Sequence, residues 1–190
     1  MNHLAHLFLG GTTAESLLGN IAGDFVKGPL RDRFSQSIRA GIMQHRHIDE
    51  FTDTHPDVAS FRRVMTAEWG HYSRVIADVF FDHFLAGDFE LYAGEPLDAF
   101  LVRTYALLDP HVERMPGRLR LVYPRMRDEG WLLSYRRLEG VHAALYHMSR
   151  RFSRQPRLER ATAYLTHSRS ELHGHFASFL PDVIAFARSL

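Results

Sequence analysis

Apolar residues along this chain recur at spacings of three and four far more often than at two, so the sequence reads as helices rather than strands. The stretch TTAESLLGNIAGDFVKG opens with Thr12 and Glu15 at capping-box spacing and stops at Gly28-Pro29. A second helix is expected from about Ser35 to Phe51 or slightly beyond, ahead of Pro56, and a third from about His71 to Ala86, closed by Gly87. Further helices are expected near 97–109, 116–127, 130–152 and 157–189, the last kinked or split by Pro181. No repeat or linker interrupts the pattern. The expected architecture is a single all-α domain, a helical bundle over residues 1–190.

Helical residues advance by about 100° each, so the side on which a polar group falls can be worked out. In GIMQHRHIDEFTD, His45 and Asp49 lie within about 20° of Ile38 and so point inward with Ile38 and Ile42, whereas His47 and Glu50 turn away to solvent. In the first helix, Asp24 and Asn20 fall in the stripe of Leu17 and Ile21. Gly19 and Gly23, on another side, allow a neighbouring helix to approach closely. The helix HYSRVIADVFFDHFLA is apolar almost all round, as a buried helix is, yet it carries Asp78, Asp82 and His83.

A buried carboxylate costs several kcal/mol unless it is paired, hydrogen-bonded or metal-bound. Three helices therefore direct acids, and two of them also a histidine, at the expected core. Carboxylate and imidazole donors without thiolate suit Mg²⁺, Mn²⁺, Fe²⁺ or Zn²⁺, and the chain has no cysteine. The alternative is a set of buried salt bridges with Arg39, Arg46 and Arg74. His3 and His6 sit singly on an apolar segment; His6 is kept as a secondary candidate with Asn20 and Asp78. His55 reads as a turn residue. His142, His147, His167, His173 and His175 have no matching carboxylates in sequence and read as structural. Trp131 and Tyr135 share a face and could line a pocket, although core packing is the first reading.

Hydrophobic residues make up 45% of the chain and charged residues 24%, which suits a globular protein. No apolar run approaches the ~18 residues of a membrane span, and MNHLAHLFLGG lacks the basic leading region of a signal peptide, so the expectation is a mature cytoplasmic protein without membrane contact. The net charge of +1 conceals an asymmetry: twelve arginines stand against four acids between Arg114 and Arg160. That excess of positive charge suggests an acidic partner, with Arg118, Arg120, Arg150 and Arg151 as its contacts.

The strings NHLAHLFL, SLLGNIAGDFVKG, GIMQHRHIDEFTDTHP and DVFFDHFL resemble, in order and spacing, the motifs of the acyl carrier protein phosphodiesterase family, and YPRM and WLLSYRRLEGV resemble stretches of its second half. The resemblance implies a helical fold like that of the HD-type metal-dependent phosphohydrolases. It implies hydrolysis of the phosphodiester joining 4′-phosphopantetheine to a serine of holo-acyl carrier protein, with a divalent metal, typically Mn²⁺, although Mg²⁺ or Fe²⁺ would also suit. The chain has no His-Asp dipeptide; the nearest approach is the reversed Asp82-His83. The family motifs contain Asp24, His45, Asp49, Asp78, Asp82 and His83. Asp24, His45, Asp49, Asp82 and His83 are expected as metal ligands, and Asp24, His45 and His83 as the groups closest to the chemistry, His45 or His83 handling a proton. The expected partner is the acidic carrier protein, not nucleic acid. The competing readings are an HD-type hydrolase of a small nucleotide or other phosphoester, and a non-catalytic module that binds a carrier protein.

Overall fold

The computed structural model describes residues 1–30 and 33–190. Among the described residues there is no β-strand. The helices are α1 (His3–Leu9), α2 (Ala14–Ala22), α3 (Gln36–Thr54), α4 (Pro56–Trp69), α5 (Ser73–Gly87), α6 (Phe89–Ala93), α7 (Leu97–Leu108), α8 (Leu119–Asp128), α9 (Trp131–Ser134), α10 (Leu138–Ser149), α11 (Tyr164–His167) and α12 (Arg169–Arg188). The all-α reading is correct.

Helix α5 runs through the core. Ile76, Val79, Phe80, Phe81, Phe84 and Leu85 are all buried, while Arg74, Val75 and Asp78 keep a narrow strip of it open. Each such side chain contributes roughly 1.5–3 kcal/mol by leaving water. The Phe81 ring lies 4.6 Å from that of Phe61 on α4, and the Phe84 ring 5.5 Å from that of Phe176 on α12. Helices α1 and α4 pack on α5, and α12 packs on α4 and α3.

Helices α2 and α3 make the most extensive contact in the fold, and glycine makes it possible. A side chain at Gly19 would overlap the Ile38 carbonyl and crowd the Cα of Gly41, and one at Gly41 would crowd Gly19 in return. Gly23 meets something different: a methyl group there would overlap the His45 ring. The close approach expected of Gly19 and Gly23 is therefore present, and it seats the His45 ring as well as a helix.

Several boundaries differ from the expected ones. The cap of α2 is Thr13, whose hydroxyl accepts from the Ser16 amide, while Glu15 pairs with Arg114. The α-helix ends at Ala22, and a single 3₁₀ turn, Gly23–Phe25, carries the chain out. Pro56 does not stop a helix but opens one: it occupies the first turn of α4, where its missing N–H is harmless, and His55 caps that turn by accepting from the Asp57 amide. The segment expected as one helix near 130–152 is broken between α9 and α10. There Gly140 lies so close to the Ser134 carbonyl that a Cβ would overlap it. The C-terminal segment breaks at Ser168, not at Pro181, and α12 continues through the proline. Proline removes only one N–H, and buried Phe179, Leu180 and Val183 hold the flanking turns in place.

Candidate functional site

The first four turns of α3 place His45 and Asp49 one turn apart. His45 is buried, Asp49 is partly open, and His47 and Glu50 face solvent, as the facing angles require. His6 arrives from α1, fully buried. Its Nε2 lies 3.1 Å from Asp49 Oδ1, and His45 Nε2 lies 3.1 Å from Asp49 Oδ2. The two imidazoles stack with centroids 3.7 Å apart. Asp24, on the 3₁₀ turn after α2, brings Oδ1 to 3.6 Å from His45 Nε2 and Oδ2 to 3.7 Å from His3 Nδ1. The α-amino group of Met1 lies 3.1 Å from Asp49 and 3.3 Å from Asp78.

This crowding shifts proton affinities. Burial alone would lower His45, but the Asp24 and Asp49 carboxylates override it and raise its pKa to about 9. Burial and the adjacent His45 push His6 down to about 4. Burial would raise Asp49 and Asp24, yet the surrounding histidines hold both well below the usual carboxylate range. Asp78 is raised by burial, against the attraction of the α-amino group.

The donor set fits a divalent cation. One ligand atom from each of His6, His45 and Asp49 lies within 4.8 Å of the others, two of the three residues are buried, and all are nitrogen or oxygen donors. The Nδ1 atoms of His6 and His45 are buried and have no hydrogen-bond partner. Two imidazoles and a carboxylate gathered in this way are hard to account for as packing alone.

Asp82 and His83 are not brought to this cluster. The Leu4 and Ala5 amides donate to the two oxygens of Asp82 at 2.9 and 3.0 Å, so this carboxylate caps the N-terminal turn of α1. Burial raises Asp82 to about 7 against those two hydrogen bonds, which favour the ionised form. His83 donates from Nδ1 to the Tyr135 carbonyl at 2.7 Å, and Arg169 donates to its Nε2 at 3.1 Å. Both ring nitrogens are occupied, and burial together with Arg169 lowers the pKa. Facing angles find inward groups, but they do not distinguish an inward carboxylate that meets amides from one that meets imidazoles. Asn20 is buried and donates to Gln44 at 2.7 Å. Arg46 donates to the Val26 and Gly28 carbonyls and Arg74 pairs with Asp53, so neither is a counter-ion of the cluster. His173 and His175, read as lacking carboxylates, find them on other elements, in Asp88 at 2.6 Å and Asp57 at 3.1 Å. His3 was not singled out by its sequence context; a lone histidine on an apolar segment carries no pattern.

Beside the cluster, and reached through Asp24, lies a cavity of about 450 Å³ whose walls include Met1, His3, Asp24, Asp78, Arg118 and Arg151. Burial and the nearby Arg118 lower the pKa of Arg151. Two guanidinium groups over a carboxylate-rich floor make an anion-receiving rim. Arg120 pairs with Glu113 and Arg150 lies over the Tyr146 ring, away from that rim. His45 and Asp49 instead line a smaller cavity of about 210 Å³ with Lys27 and Arg46, and Asp24 lies on the walls of both cavities.

Residues 1–183 match the family model described as acyl carrier protein phosphodiesterase. The chain is 32% identical to a protein of that name from Yersinia pestis, over 99% of this chain and 98% of the relative. It is also 32% identical to proteins of the same name from Photorhabdus laumondii and Pectobacterium atrosepticum, over 94% of this chain and 87% and 90% of theirs. The chain belongs to the acyl carrier protein phosphodiesterase family. No solved structure matches it. The family match takes in every residue of the cluster and both rim arginines. Among the described residues, no helix is long and apolar enough to cross a membrane.

Proposed function

We propose that this protein, working as one helical domain over residues 1–190, hydrolyses the phosphodiester joining 4′-phosphopantetheine to the serine of holo-acyl carrier protein, giving apo-carrier protein in the cytoplasm. The observation that carries this reading is the convergence of His6, His45, Asp49 and Asp24, with Asp24 also on the wall of a cavity that Arg118 and Arg151 line. His6, His45 and Asp49 would hold a divalent ion, Mn²⁺ by preference, with Asp24 completing the set. Such an ion, when bound, supplies a Lewis acid and lowers the pKa of a water molecule toward neutrality.

The chain's own groups account for the rest. Arg118 and Arg151 receive the phosphodiester and offset charge that grows on its non-bridging oxygens. Asp24 stands between His45 and His3 and fixes the orientation of both rings. His3, also on the cavity wall, has its pKa lowered by burial, so it meets the phosphodiester as a neutral hydrogen-bonding group. No cysteine is present to act as a covalent nucleophile, so the expected course is direct attack of water on phosphorus. The arginine-rich second half, with Arg120 and Arg150 outside the rim, meets the acidic surface of the carrier protein.

The test is mass spectrometry of holo-acyl carrier protein incubated with the Mn²⁺-loaded protein in ¹⁸O-water. The expected products are apo-carrier protein with an unlabelled, intact serine and 4′-phosphopantetheine with label in its phosphate. Label in the serine, or a dehydrated serine, overturns the mechanism. An unchanged carrier mass overturns the assignment of substrate, and turnover of a nucleotide diester in its place would identify the replacement.

A further inference from the structure

A second cavity, of about 360 Å³, lies against the reaction cavity and shares His3, Met148 and Arg151 with it. Its other walls include Trp131, Ser134, Tyr135, Ala144 and His147. The volume is in the range of sites for small ligands, roughly 300–1,000 Å³, and is too small for a helix, which is ~10 Å across with its side chains. The cavity therefore takes a small molecule or a slender chain and not a helix of a partner protein.

We infer that this cavity binds the pantetheine arm of the carrier protein's prosthetic group while the phosphodiester lies over the His–Asp cluster; the inference rests on the function proposed above. A phosphate between Arg118 and Arg151 has Arg151 and Met148 on the side that leads into the second cavity. The substituent it carries must leave in some direction, and here a bounded path begins at the phosphate site. The wall chemistry suits that substituent. Pantetheine is an aliphatic chain interrupted by amides. The indole, the thioether and small alanine side chains match its methyl and methylene groups, while Ser134, Glu139 and His147 offer hydrogen bonds to its amides.

The cavity is pre-formed. It arises where the chain breaks between α9 and α10, with Gly140 seated against the Ser134 carbonyl. The Trp131 indole is anchored by donating to Glu129 at 2.8 Å, with Arg125 over its face at 5.9 Å. The Tyr135 hydroxyl accepts from Asn2, itself on the wall of the reaction cavity, at 3.0 Å. Anchored walls reduce the ordering cost of binding a flexible arm.

The experiment is calorimetric titration of the Mn²⁺-loaded protein with 4′-phosphopantetheine and with inorganic phosphate, using the native chain, Ala144→Trp and Ala143→Trp. Ala143 is exposed at the cavity wall, so its replacement does not threaten folding; circular dichroism and thermal melting verify both variants. The native chain is expected to bind phosphopantetheine at least about tenfold more tightly than phosphate. In both tryptophan variants that ratio should collapse toward one, and KM for holo-carrier protein should rise by a similar factor. Equal affinity of the native chain for the two ligands overturns the inference, as do variants that keep the native ratio and KM. Native protein that leaves holo-carrier protein intact sinks the functional proposal instead, and is told apart because it is read by mass and not by the affinity ratio.

Discussion

The imidazole of His6 stacks on that of His45 at 3.7 Å, and each ring directs Nε2 at a different oxygen of Asp49. Two helices far apart in sequence thus present nitrogen donors to one carboxylate. Asp49→Asn, His45→Ala and His6→Ala are each expected to weaken Mn²⁺ binding and lower turnover by about 100-fold or more, since even outer partners of metal ligands account for 10–100-fold. His47→Ala and Glu50→Ala, on the exposed side of the same helix, should stay within twofold of native. Metal content by elemental analysis beside turnover checks this; full metal content in the first three variants would remove the site.

Asp82 should behave differently. It accepts two backbone amides, and Asn in its place accepts one and turns an NH₂ toward the other. Asp82→Asn should cost about 1–3 kcal/mol of stability, measured by urea unfolding, while Mn²⁺ still binds the folded protein. A variant of native stability that has lost its metal would return Asp82 to the ligand set.

His83 makes stability depend on pH. Its folded-state pKa lies below the ordinary value of about 6.5, so the neutral ring belongs to the folded protein. The stabilisation is complete above pH ~6.5 and is lost as acid drives protonation, because the unfolded chain takes up a proton that the folded site resists. His83→Gln should flatten the fall in urea midpoint between pH 7.5 and 5.5. Parallel slopes in the two proteins would refute this.

Gly23 is a sensitive point for catalysis. Its Cα faces the His45 ring with no room for a methyl group. Gly23→Ala should lower kcat/KM by up to about 100-fold through displacement of the ring, with a stability loss of about 1–3 kcal/mol. Gly19→Ala, which crowds backbone rather than His45, should show the stability loss without a comparable loss of turnover by the folded fraction. Equal effects of the two on turnover would count against the seating role of Gly23.

Charge reversal should separate the four arginines. Arg118→Glu and Arg151→Glu, at the cavity rim, are expected to raise KM for carrier protein about tenfold, or ~1.4 kcal/mol, and Arg120→Glu and Arg150→Glu by less. KM should also rise with salt, since exposed charges are screened over about 8 Å at physiological ionic strength. A KM indifferent to salt and to all four reversals would dismiss the docking surface.

The periodicity of α3 was enough to separate His45 and Asp49 from His47 and Glu50, because a long helix repeats its facing several times. The same reasoning identified Asp24, although the helix had already given way to a 3₁₀ turn there. It could not reach His6 and His3: α1 has seven residues, too few for a period to show, and its apolar residues conceal which direction is inward. Asp82 was rightly read as buried, but its partners are amides 78 and 77 residues away, and no local pattern records such a contact. Helix α4 was missed because proline marks both the end of one helix and the first turn of the next.

The tie between Asp82 and the first turn of α1 bears on how the site comes into being. A helix of seven residues does not persist by itself in water, so α1 has no stable form until α5 exists to receive it. On the ribosome the segment bearing His6 emerges well before its anchor, and closing a loop of that length has an entropic cost that local contacts do not offset. The position of His6 beside His45 therefore depends on a residue of α5, and a chain that ends before residue 82 lacks the carboxylate that holds the first turn of α1.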